Sequence, residues 1–126
     1  MNIENLTIRR LFLIDAIGAA LSAILLGFVL VSYQELIGMP VYILRILAGI
    51  AVLFFIYSIS CYLINAVDLK VRLRTIAIAN FLYCIATLIL MVVYFDELTL
   101  LGVSYFLLEI VIITGLGRLE FKSTLN

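Results

Sequence analysis

The chain has 126 residues, of which 67% are hydrophobic and only 13% charged, with eight Lys+Arg balanced by eight Asp+Glu. Soluble domains are about 45–50% apolar, and a chain this short has too little interior to hide so much apolar surface from water. The balance excludes a soluble monomer and a disordered tail, and the lack of a long basic tract excludes a nucleic-acid partner.

What remains is an integral membrane protein, a single transmembrane domain over residues 1–126 with the lipid bilayer as its solvent. There is no His, so imidazole-based zinc or haem sites and His acid–base chemistry are excluded. Cys61 and Cys84 stand far apart in apolar runs and form no Cys-x-x-Cys pair. A thiol among apolar side chains is inert, so both are expected to pack. No metal and no cofactor is implied. Trp is absent, and seven Tyr must supply any interfacial aromatic belt.

A bilayer-crossing helix needs about 20 mainly apolar residues. Four stretches qualify: residues 11–31, 41–67, 75–94 and 98–116. Apolar residues surround each segment rather than alternating, which favours helices over barrel strands. The predicted fold class is all-α, an antiparallel four-helix bundle joined by short loops.

Arg9 and Arg10 precede the first helix as the n-region of a signal peptide would. The apolar run is longer than a signal core, however, and no small-x-small cleavage site follows it. An uncleaved helix is expected. The next loop ends in Gly38 and Pro40, and Pro suits the first turn of a helix. The second segment is long for a bilayer and must tilt or extend into the interface. Lys70, Arg72 and Arg74 lie between the second and third helices. Asp96 is placed to cap the fourth, and Arg118 and Lys122 follow it. Seven basic residues thus share one side. The opposite loops hold Glu35, Asp96 and Glu97 with no Lys or Arg. Basic loops stay inside, so both termini are expected to be cytoplasmic and the protein to reside in the inner membrane of a bacterial cell.

Each helix carries a polar or small-residue face at helical spacing. The faces are Asp15, Gly18, Ala19 and Ser22; Ser58, Cys61 and Asn65; Ala77, Asn80, Tyr83, Cys84 and Thr87; and Gly102, Tyr105 and Glu109. Small residues let membrane helices approach, and polar ones bond between them. Counting from the basic edges at 1.5 Å per residue, Asp15 lies roughly 6 Å deep and Glu109 roughly 12 Å deep. An intramembrane carboxylate marks function by default. Asp15 is shallow enough to reach water or Arg74. Glu109, with no cation at its depth, is expected to keep its proton and to bond to Tyr105, Asn80 or Asp15.

Asp15, Asn80, Tyr83, Tyr105 and Glu109 are therefore the candidate binding residues, in a small polar chamber opening toward the cytoplasm. Arg45, near the opposite surface, points away from the polar face of its helix. It is assigned to an outer charge clamp with Glu35, Asp96 or Glu97, or to a snorkelling anchor.

The motifs FLIDAIGA (12–19), GMP (38–40), YSISC (57–61), IAIANFLYC (76–84) and LTLLGVSYFLLE (98–109) resemble a group of small uncharacterised bacterial four-helix membrane proteins. In size and layout the chain is also similar to the DoxX-like family. Both resemblances imply a fold and no activity. Small multidrug-resistance transporters also have four helices and an essential membrane Glu, but in their first helix. Here the first helix has Asp15, and the deep Glu109 is in the fourth.

Three function classes follow. The leading one is binding or transport of a proton, a cation or a lipophilic small molecule through an intramembrane polar site. The alternatives are an accessory subunit packing against a membrane partner or a second copy, and an enzyme acting on a lipid or isoprenoid. Catalysis would need both acids at one substrate atom, a geometry that sequence does not provide, so no catalytic residue is assigned.

Overall fold

The computed structural model describes residues 3–64 and 68–124, with side chains from residue 7 onward. Within these residues the protein is all-helical. It comprises α1 (Ile3–Ile24) with a π-helical continuation over Leu25–Leu30, a one-turn α2 (Gln34–Ile37), α3 (Val41–Leu63), α4 (Leu69–Val93) and α5 (Leu100–Ser123). Asn65, predicted on the polar face of the second helix, and the predicted end of that helix at 67 lie outside the described residues.

Four helices are long and apolar enough to cross a membrane, with spans Thr7–Leu30, Val41–Leu63, Leu69–Val93 and Leu100–Ser123. Only 22% to 39% of the most apolar window of each is buried by the protein itself. The remainder, including Ile14, Leu53, Leu82 and Ile112, faces outward and needs an apolar solvent.

The helices are longer at their charged ends than the apolar runs suggested. α1 begins at Ile3 rather than 11. α4 begins at Leu69 rather than 75, so Lys70, Arg72 and Arg74 sit in its first turns and not in a loop. α5 runs to Ser123 rather than 116. Apolarity measures the part of a helix that suits lipid, whereas Arg, Lys and Glu are good helix formers that continue the helix beyond it.

The first and second spans pack along each other, as do the third and fourth. Phe12, Leu73 and Ile76 form an apolar cluster with Ile8 and Cys61 near the basic end, and Leu26, Leu44, Leu47 and Phe106 form another toward the opposite end. α1 and α5 meet only sparsely, and this seam is where the site lies.

The end opposite the basic residues is closed by a clasp between two loops. Gly38 terminates α2 with φ +94°, the left-handed conformation that glycine adopts without cost. Its Cα faces the Glu97 carbonyl so closely that a Cβ would collide with it, and Gly102 stands likewise against the Ile37 carbonyl. Thr99 N–H donates to the Ile37 carbonyl at 3.1 Å, and its hydroxyl lies on the Leu36 and Ile37 carbonyls. The same hydroxyl accepts from Gly102 N–H at 3.1 Å. Thr99, not Asp96, therefore caps α5. Asp96 sits in the preceding turn, exposed and too early in the chain to reach the free N–H groups.

Arg45 is exposed and forms no ion pair among the described residues. The structure does not bring it to Glu35, Asp96 or Glu97. The buried face of this part of α3 is Ile43, Leu44, Leu47 and Ala48, which turns Arg45 outward with Tyr42 and Ile46, in the position of a snorkelling anchor. Tyr42 and Tyr94 share a 2.7 Å hydrogen bond at this end, whose first effect is to push the Tyr94 hydroxyl above its ordinary pKa.

At the basic end Tyr57 donates to the Arg72 carbonyl at 2.9 Å, and Arg9 donates to the Tyr62 carbonyl at 2.8 Å while lying over the Tyr62 ring. Arg74 binds the hydroxyl and carbonyl oxygens of Thr124 at 3.2 and 3.0 Å, satisfying a C-terminal carbonyl of α5 with a cation. Tyrosines thus line both ends, as an interfacial belt requires.

Candidate functional site

Between α1 and α5, with α3 and α4 behind, lies a cavity of about 300 Å³. All five candidate binding residues line it: Asp15, Asn80, Tyr83, Tyr105 and Glu109. The whole predicted polar face of the first helix lines it too, because Asp15, Gly18, Ala19 and Ser22 recur at intervals of three and four and so share one side. The predicted face of α3 does not. Ser58 and Cys61 are buried elsewhere, and α3 contributes Ala51 and Phe54 instead.

Two polar groupings meet the cavity. In the first, the Tyr83 hydroxyl donates to Glu109 Oε1 at 2.7 Å, and the Tyr105 hydroxyl approaches the same carboxyl. Glu109 is only 7% exposed, and its Oε2 has no hydrogen-bond partner. In the second, the Asn80 amide donates to Glu120 Oε1 at 2.9 Å and, at a longer 3.4 Å, to Asp15 Oδ2. The two carboxyls thus share the Asn80 amide as donor. Asp15 is buried. It is held by Asn80 well inside the protein, while Arg74 is occupied by Thr124.

Glu120 is the residue that sequence reasoning missed. With the last helix ending at 116, it falls in a polar tail between Arg118 and Lys122. In the structure it is fully buried, with Oε2 unpartnered. The available signal was its spacing of 11 from Glu109, close to three helical turns, which places both acids on one face.

The cavity also differs in character from the expected chamber. Its wall is overwhelmingly apolar, and its edges are formed by Leu21, Leu25, Leu108 and Ile112, all exposed on the outer surfaces of α1 and α5. These residues flank the sparsely packed seam between α1 and α5. Neither cysteine contributes to the lining. Both are reduced and buried, and the Cys84 thiol accepts a hydrogen bond from Thr114 at 3.4 Å. No group of acids or thiols able to hold a metal ion occurs among the described residues.

Comparison with protein-family models, curated proteins and solved structures finds no match for the chain.

Proposed function

We propose that this is a multi-pass protein of the bacterial inner membrane, an antiparallel four-helix bundle with both termini cytoplasmic, that binds or transports a lipophilic small molecule. The observation that carries this reading is the Glu109 carboxyl. It is buried on the wall of a cavity of about 300 Å³ with one oxygen unpartnered. Burying a polar atom without a partner costs about 1–3 kcal/mol, so the arrangement suits a site completed by a visitor. Ligand pockets of this kind are mostly apolar with a few placed polar groups. Exposed leucines at the seam suit entry from lipid. An accessory role would be favoured by a Glu109 closed over by direct contacts, and the cavity at its carboxyl favours binding instead.

The cytoplasmic assignment of the termini is supported by the seven basic residues gathered at one end. Reporter fusions after residue 126 and within 33–38 test it, and an external C-terminus would overturn it. The binding reading is tested by photolabelling the full chain in lipid nanodiscs with trifluoromethyl-phenyldiazirine, a small lipophilic carbene source. Ala51 and Phe54 should be labelled saturably and more heavily than the neighbouring lipid-facing Val52 and Leu53. Uniform, non-saturable labelling of every apolar face would refute binding in the cavity.

A further inference from the structure

We propose that the cavity recognises a lipophilic organic cation, an ammonium ion on an aromatic or alkyl body, held by the Glu109 carboxylate against the rings of Phe54, Tyr83 and Tyr105. This rests on the binding reading above and names its ligand class.

The first support is charge. Three carboxyl groups, Asp15, Glu109 and Glu120, are buried among the described residues, and no Lys or Arg lines the cavity. Arg9, Arg72 and Arg74 are engaged at the basic end with Tyr62, Asp68 and Thr124, and Arg10 and Arg118 are exposed. A carboxylate in an apolar setting is stable only when paired. The protein supplies Glu109 with a hydroxyl donor on one oxygen and leaves the other open, a half-built ion pair.

The second support is the aromatic wall. Phe54 and Tyr83 meet edge to face with centroids 5.9 Å apart, and Tyr105 completes the set of rings lining the cavity. Aromatic faces attract cations most strongly where water is excluded, and aromatic cages are the common means of holding quaternary ammonium groups. An inorganic cation fits poorly. Hard cations require about six or more oxygen ligands, and the apolar wall cannot replace a hydration shell. A lipophilic cation brings its own apolar surface.

Binding is coupled to a proton. In the empty site the acid form of Glu109 leaves no net charge there. As the cation enters, the Glu109 O–H bond breaks, its electron pair stays on the carboxylate, and the proton departs to water. One positive charge replaces another. The groups facing Glu109 are Tyr105 from its own helix, Tyr83 and Cys84 from α4 and Asp15 from α1, while α3 presents Phe54, which does not titrate. The Asp15–Asn80–Glu120 grouping lies on the basic side of Glu109 and offers a route for that proton.

The test compares two probes of the same shape, benzyltrimethylammonium and its uncharged carbon isostere neopentylbenzene, titrated calorimetrically into the full chain in detergent. The ammonium charge is permanent, so pH acts only on the protein. The cation should bind at least about tenfold tighter than the isostere at high pH. Its affinity should rise with pH by up to about tenfold per unit, and about one proton should be released per cation bound, as linkage requires. E109Q should weaken the cation at least about tenfold and leave the isostere unchanged, and Tyr105→Leu should weaken the cation more than the isostere. Equal affinity for the two probes at all pH values would overturn the cation proposal while leaving the binding reading intact. Failure of both to bind would overturn both. The comparison on the unmodified protein holds whether or not a variant folds.

Discussion

The clasp at the loop end and the seam between α1 and α5 treat polar groups in opposite ways. In the clasp, Thr99 satisfies two carbonyls and a helix N–H, and Gly38 and Gly102 allow contact too close for any Cβ. At the seam, Glu109 and Glu120 each keep an unpartnered oxygen, and Gly18 has no atom within 4 Å of where a Cβ would stand. Fully satisfied polar groups hold a structure together, and half-satisfied ones are high in energy unless something completes them. The clasp is therefore the stabilising region, and the seam is the one that trades stability for access.

The strongest way to break this comparison is at the clasp. Gly38→Ala should lower stability by at least about 2 kcal/mol. A left-handed conformation costs an L-residue roughly 1–2 kcal/mol, and the Cβ must also displace the Glu97 carbonyl. Gly102→Ala should behave similarly through Ile37. Both are read from unfolding in mixed micelles. If either variant kept full stability, the clasp would not be the stabilising region. Asn80→Ala comes next, at about 1–3 kcal/mol, because it removes the donor that Asp15 and Glu120 share. Its loss should be smaller at a pH low enough to keep both acids protonated, and a pH-independent loss would deny that the two carboxyls depend on Asn80.

Gly18→Leu sharpens the contrast by acting in the other direction. It should raise stability by about 0.5–1 kcal/mol through helix propensity while filling the cavity and abolishing saturable photolabelling of Phe54. Retained labelling would place the binding volume elsewhere.

The smallest effect is expected at Asp68, a fully exposed residue outside both regions. The hydrogen bond from Arg72 at 3.1 Å holds its carboxyl below the usual carboxylate range. A depressed carboxylate adds stability that is present above its unfolded pKa, about 3.9, and is lost as pH falls through the lower folded value. Asp68→Asn should leave stability unchanged near neutrality beyond a minor ion-pair contribution and flatten only the acid limb below about pH 4. A marked loss at pH 7 would show that this surface pair matters more than exposed pairs usually do.

The sequence by itself determined that this chain is helical and apolar enough to cross a membrane four times, because hydropathy and helical spacing are local properties of the chain. It also determined that Asp15, Asn80, Tyr83, Tyr105 and Glu109 belong on interior faces, because i, i+3 and i+4 positions coincide on any helix. Tertiary structure alone decided the rest. Helix ends depend on what the charged turns find to bond with, so Thr99 rather than Asp96 caps α5, and Arg74 holds its far end. Whether Arg45 meets an acid depends on how α3 rotates to bury Leu44 and Leu47, and that rotation turned it outward. Glu120 joined the site because α5 continued to Ser123 and packed beside α4, bringing its carboxyl within reach of Asn80. The cavity itself is a property of two helices that do not close on each other, and no single helix carries the information for a gap between two.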